Sequence, residues 1–288
     1  MEIVAAKKST PTIRLRRLAR QLRLLREDAG LSREEVEEQT GINQATIYRI
    51  ETAKVRPQNR TLMTMLTTYG CPEQEQAAMR ALSKEATKPG WIRPWHETLS
   101  ADYTTYISFE AEAQGVRNYS SLFIPGLLQT EDYARAVISG VLHTASAEQV
   151  ENRVKARLGR QALLIGANPL KLWVVIDEAA LRRSVGGPEV MRKQRQHLVR
   201  AAEAPNITIQ VLRFDDGAHP GMPGEFIALE FEDPMDSDLV YIDSQAGEVF
   251  LESDADLKRF RNTFDHLVAM ASSPKDSAAF IAKIDPSD

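Results

Sequence analysis

With 288 residues, 43% of them hydrophobic, the chain exceeds one average domain and can fill a core in each of two. It holds no run of about 18 apolar residues and no apolar signal core behind Met1, so a cytoplasmic location is expected, with no membrane span and no export. A net charge of -4 argues against a generally basic nucleic-acid coat protein, and the lone cysteine, Cys71, excludes an internal disulfide or a cysteine-built zinc site.

Residues 1–12 are polar and read as an arm. The spacing of Leu15, Leu18, Leu22 and Leu25 predicts a helix over 13–29, stopped by Gly30. Ser32 and Glu35 stand as a capping box for a short second helix that ends near Thr40 and Gly41. Asn43 is placed to cap a third, over 43–52, with Ile47 and Ile50 on its buried side. Pro57 forces a break. A fourth helix carries Leu62, Met65, Leu66 and Tyr69, and a fifth over 72–86 leads to a linker at 87–90.

Beyond the linker, residues 101–117 and 130–142 read as helices around an apolar turn at 122–128, and 146–166 as an amphipathic helix bearing Arg153, Arg157 and Arg160. The signal then alternates. Strands are expected at 172–177, 207–212, 225–231, 239–243 and 248–251, with helices at 188–203 and 253–271. The fold class is therefore an all-α N-terminal helix-turn-helix domain, residues 1–88, followed by a mixed α/β domain, residues 89–288.

Charge divides along the same line. Residues 1–70 carry 13 lysines and arginines against 8 acidic residues, whereas the remainder is acidic by 9 charges. A basic module on an acidic body suits a polyanion-binding head.

The sharpest motif is residues 31–57, LSREEVEEQTGINQATIYRIETAKVRP. Two short helices joined at a glycine, with Val36, Ile42, Ile47 and Ile50 facing inward, make a helix-turn-helix. The major groove admits one α-helix, and the preceding helix braces it across the backbone. These residues resemble the xenobiotic-response-element, or phage-repressor-like, family of regulators in the Leu-Ser-x-x-Glu start, the Gly-Ile turn and the Arg-Ile-Glu ending. The resemblance implies base reading by Asn43, Gln44, Ala45, Tyr48 and Arg49, and phosphate contact by Arg33, Thr52, Lys54 and Arg56. Gln and Arg are the side chains suited to adenine and guanine edges. Two positions depart from the pattern. Glu37 stands where the family has a small alanine, which implies a slight tilt of the helix pair. Ala53 replaces a common glycine and must take a turn conformation.

In the body no phosphate-binding or dinucleotide glycine motif occurs, and the five histidines (His96, His143, His197, His219, His266) are scattered. Metal binding by His219 with Asp215 and Asp216 is disfavoured against a solvated loop. Acid–base work by Asp177 and Glu178 is disfavoured too, because neighbours on a strand face opposite ways; helix capping or surface charge is preferred. Trp91, Trp95, Tyr103, Tyr106 and Phe109 are read as core, with a pocket between helices as the alternative. No enzyme activity, metal or cofactor is expected.

The segments around Ile124–Ala136, Glu178–Gly187, Arg157–Gln161 and Pro205–Val211 resemble the C-terminal signature of an actinobacterial group of antitoxin-like regulators that carry this helix-turn-helix in front. The resemblance implies a sequence-specific regulator that binds a double-stranded DNA operator and is controlled through its C-terminal domain by a small companion protein encoded nearby. The alternative is a ligand-sensing regulator with a small-molecule pocket in that domain. A homodimer is expected, because one helix-turn-helix reads only a few base pairs, with its interface in residues 91–288.

Overall fold

A computed structural model describes residues 13–85, 99–232 and 238–284. They fall into two compact units, one holding 13–85 and the other the rest. The arm at 1–12, the linker at 87–90, Trp91, Trp95 and His96 lie outside the described residues. No helix among the described residues is long and apolar enough to cross a membrane.

The first unit is helical throughout: α1 (Ile13–Asp28), α2 (Arg33–Thr40), α3 (Gln44–Glu51), α4 (Asn59–Thr68) and α5 (Glu73–Glu85). Local chemistry fixes the boundaries. Ser32 and Glu35 close a reciprocal capping box on α2, and Gly41, at φ 72°, ends it in the left-handed conformation that costs glycine least. The apolar stripes then meet in one core of Leu18, Leu22, Val36, Ile47, Ile50, Leu62, Met65 and Leu66, each at most 1% exposed. Full burial of each stabilises by roughly 1.5–3 kcal/mol.

The second unit is built on a six-stranded mixed sheet. Its strands are β1 (Gly115–Ser120), β2 (Lys171–Asp177), β3 (Ile207–Leu212), β4 (Phe226–Glu230), β5 (Leu239–Ser244) and β6 (Gly247–Leu251), in the order β3-β2-β1-β4-β5-β6. β1, β2 and β3 are parallel; β4, β5 and β6 run antiparallel. The helix α6 (Ala101–Glu110) precedes β1, the crossovers supply α7 (Glu131–Val141), α8 (Ala147–Gly159), α9 (Glu178–Arg182) and α10 (Pro188–Ala201), and α11 (Asp254–Met270) and α12 (Pro274–Lys283) follow β6. One face of the sheet packs Tyr119, Val175, Phe226 and Val240 on Phe264 and Leu267 of α11.

The helix expected over 101–117 stops at Glu110, and residues 115–120 form the central strand β1 instead. Five of its six residues are buried, so the alternation that marks a half-exposed strand is absent. Strand geometry comes from pairing with β2 and β4. At its start Gly115 lies so close to β4 that a Cβ would stand 2.9 Å from Glu230 Oε2. The helices α9 and α12 were not expected either. The long helix expected over 146–166 ends at Gly159 and tightens into a 3-10 turn, Arg160–Leu164.

Candidate functional site

In the first unit, Ile47 and Ile50 of α3 are buried, so the helix presents the opposite side outward. Asn43, Gln44, Ala45, Tyr48, Arg49 and Thr52 are all exposed, and from Gln44 to Thr52 they recur at helical spacing on one face. The Gln44 and Arg49 side chains make no hydrogen bond or ion pair among the described residues. Asn43 caps α3, its Oδ1 accepting from Ala45 N at 2.9 Å.

Glu37 occupies its alanine-like position in a way the sequence did not foretell. Its carboxylate accepts from Asn43 Nδ2 at 3.0 Å and from the Gln44 backbone N at 3.1 Å. A negative charge there satisfies an otherwise unpaired donor and favours the positive end of α3. The carboxylate thus fixes where α3 begins. Ala53 has φ +54°, the one non-glycine residue at positive φ among those described, as its place in the loop required.

The expected phosphate ligands divide into two groups. Lys54 and Thr52 are exposed; the Lys54 ammonium stands 4.8 Å from the Tyr48 ring centroid, and the Thr52 hydroxyl donates to Tyr48 O at 2.7 Å. Arg33 and Arg56 are engaged internally. Arg33 Nε donates to Glu51 Oε2 at 2.8 Å and its guanidinium lies 5.4 Å from the Tyr48 ring. Arg56 Nη1 donates to Ser83 O at 3.2 Å. Glu51 is the hub of the unit: its fully buried carboxylate also takes Arg26 Nε at 2.6 Å and Nη2 at 3.2 Å. Arg26 reaches Leu31 O as well, at 2.6 Å. This one cluster ties α1, the start of α2 and the end of α3, so α3 is held to α1 and α2 by charge as well as by packing. The Arg-Ile-Glu ending contains Glu51, but its partner Arg26 lies 25 residues earlier and no local spacing points to it.

The second unit encloses a cavity of about 390 Å³ on the sheet face opposite α11. Register puts Asn118, Ile227 and Tyr241 side by side across β1, β4 and β5, and all three line it. α7 contributes Ile138, and α8 with the following turn contributes Arg153, Arg157 and Arg160, whose spacing of four and three puts them on one helical face. Arg160 is neutralised in place. It donates to both oxygens of buried Glu110 at 2.6 Å and to Tyr103 Oη at 2.7 Å, while Tyr106 Oη donates to Glu110 Oε1. Glu225, at the start of β4, also lines the cavity, and burial pushes its carboxyl up to about 7 against a hydrogen bond from the Ser121 backbone. Phe109, read as core, is fully buried. Tyr103 and Tyr106 instead divide their surface between core and cavity.

His219 turns to Asp177, with Nε2 to Oδ2 at 3.4 Å, whereas Asp215 and Asp216 contact Arg213. Asp177 also caps α9 through Ala179 N at 2.8 Å, and buried Glu178 accepts from Phe214 N at 2.9 Å and from Arg182. The pair thus ties down the 213–224 loop and caps a helix. Gly221 of that loop lies against Tyr119, where a Cβ would come within 2.6 Å of the ring.

The exposed face of α3 on a braced helical core defines a helix-turn-helix protein, and residues 17–79 match a family model described as a helix-turn-helix domain. Residues 103–283 match a second, described as a domain of unknown function (DUF5753). That match covers most of the chain, and the protein belongs to this family. Comparison with curated proteins and with solved structures gives no match.

Proposed function

We propose that this protein is a sequence-specific, DNA-binding transcription regulator of the phage-repressor-like type, with α3 in the major groove and no catalytic role. The observation that carries the reading is the exposed face of α3, where Gln44 and Arg49 stand unengaged while Ile47 and Ile50 on the other side are buried. Two copies would read paired half-sites, joined through the second unit, and sedimentation as a monomer at micromolar concentration while bound to one half-site would end that part of the proposal.

The second unit is then the receiver of the controlling signal. The resemblance to the actinobacterial antitoxin-like group supports a small companion protein encoded nearby, and the excess of 9 negative charges over residues 71–288 suits a partner with basic anchors. A partner alters DNA binding only if it favours one arrangement of the two heads over another. A small-molecule input is the second reading, favoured by the cavity of about 390 Å³, a size within the range of known ligand pockets.

The test begins with selection of an operator from random DNA. Gln44→Ala and Arg49→Ala should each weaken binding to the selected site by about 1–3 kcal/mol while barely changing binding to random DNA. Equal proportional loss on both would remove that residue from base reading.

A further inference from the structure

The cavity carries polar atoms that the fold itself leaves unused. Tyr241 is 3% exposed and its ring stacks on Tyr106 at 4.2 Å, yet its hydroxyl has no hydrogen-bond partner. A buried polar group in that state keeps its desolvation cost without return, which phenylalanine at the same place would avoid. Arg157 repeats the pattern. Its Nη1 donates to Gln129 Oε1 at 3.0 Å, but its Nε is buried and unpartnered. Neither Arg157 nor Arg153, one turn earlier on α8, has a carboxylate within ion-pair reach among the described residues. Arg160 is saturated by Glu110. Arg157, on the same helical face, is held only by neutral partners among the described residues, Gln129 and Tyr103, so its charge, like that of Arg153, is met by no carboxylate at ion-pair distance.

We infer that this cavity binds a small organic acid: a single carboxylate, taken by Arg157 and Arg153, on an apolar or aromatic body that also offers a polar atom to Tyr241. The site deepens the small-molecule reading above and rests on it. Guanidinium groups prefer planar carboxylates, which they bind in pairs of charge-assisted hydrogen bonds. Ile124, Leu127 and Ile138 supply the apolar wall against which the body of the acid packs. A monoanion suits the charge better than a phosphate dianion. Asp243 and Glu248, also at the wall, oppose a second negative charge, Asp243 while interacting with Arg157 at longer range, and Glu225 carries only part of its charge near neutral pH. A cation would meet the two open guanidinium groups.

The experiment uses the full chain without DNA. Octanoate, phenylacetate and indole-3-acetate are titrated by calorimetry and thermal shift beside their primary amides and the matching amines. At least one acid should bind saturably, with its amide about 10-fold weaker and the amine not binding. Arg157→Gln should weaken the acid about 10-fold and leave the amide unchanged. Tyr241→Phe, which retains the ring, should fold at least as stably as the parent and still weaken the acid, and Arg192→Gln, an exposed side chain of α10 outside the cavity lining, should change nothing. If no acid binds better than its amide, or if Arg157→Gln and Tyr241→Phe both bind like the parent, the inference is overturned. Either result leaves operator binding, measured separately through Gln44 and Arg49, to stand or fall by itself.

Discussion

The two units each bury an arginine–glutamate pair, and they use it differently. In the first, Glu51 collects Arg26 and Arg33, the buried core around it is aliphatic apart from Tyr69 and the sulfur-bearing Met65, Cys71 and Met79, and the chemistry proposed for DNA lies on the outside of α3. In the second, Glu110 saturates Arg160 beside a cavity, and the unsatisfied atoms point inward. Each pair has a tyrosine hydroxyl without a partner near it, Tyr69 beside Glu51 and Tyr241 at the cavity wall. What sets the second apart is the cavity itself and the arginine beside it, Arg157, whose buried Nε is unpartnered.

The largest expected effect tests the first half of that contrast. Glu51→Ala strands the buried Arg26 guanidinium and loosens Arg33, so the helical unit should lose about 3–5 kcal/mol, read as a shift of its own transition in denaturant. A loss below about 1 kcal/mol would mean that packing alone seats α3.

The second unit offers a pH test. Glu225 titrates near 4.5 in the unfolded chain and about 7 when folded, so between those values the folded form holds more protons. Stability from this group is complete below pH 4.5 and is lost as pH rises through 7, by roughly 2–3 kcal/mol. Glu225→Gln should flatten that slope in thermal melts between pH 5 and 8. An unchanged slope would place the carboxyl in water rather than in the cavity wall.

Next comes the division among the phosphate candidates. Lys54→Ala should weaken every DNA sequence alike and reduce the log–log salt slope by about one unit, without loss of stability. Arg33→Ala should destabilise the unit, because Arg33 is bonded to Glu51. If the two variants behaved identically in melts, the internal role of Arg33 would be disproved.

The smallest effect is in the loop after α3. Ala53 at φ +54° carries a left-handed penalty of about 1–2 kcal/mol, and glycine there adds unfolded-state entropy worth about 0.4–1 kcal/mol. Ala53→Gly should therefore raise stability by about 0.5–1 kcal/mol, and a decrease would show that the buried methyl outweighs the strain.

Sequence alone determined the elements whose causes are local. The capping box of Ser32 and Glu35, the Asn43 cap, the stop at Gly41 and the inward Ile47 and Ile50 all depend on residues within about four positions, and hydrogen-bond and burial patterns at that range can be read directly from spacing. The two-unit order and most strands were legible for the same reason. Tertiary structure decided the rest. β1 became a strand because partners about 55 and 110 residues further on supply its hydrogen bonds, against a local pattern read as helix. Glu37 came to support the Asn43 cap and the Gln44 N–H of α3 only once the turn brought them to it. The cavity joins side chains from α6 to β6, spread over nearly 150 residues; Arg153, Arg157 and Arg160 announced a helical face, but which of them is saturated depends on where Glu110 folds. A buried charge is defined by its neighbours in space, and chain spacing constrains those neighbours only over a turn or two of helix.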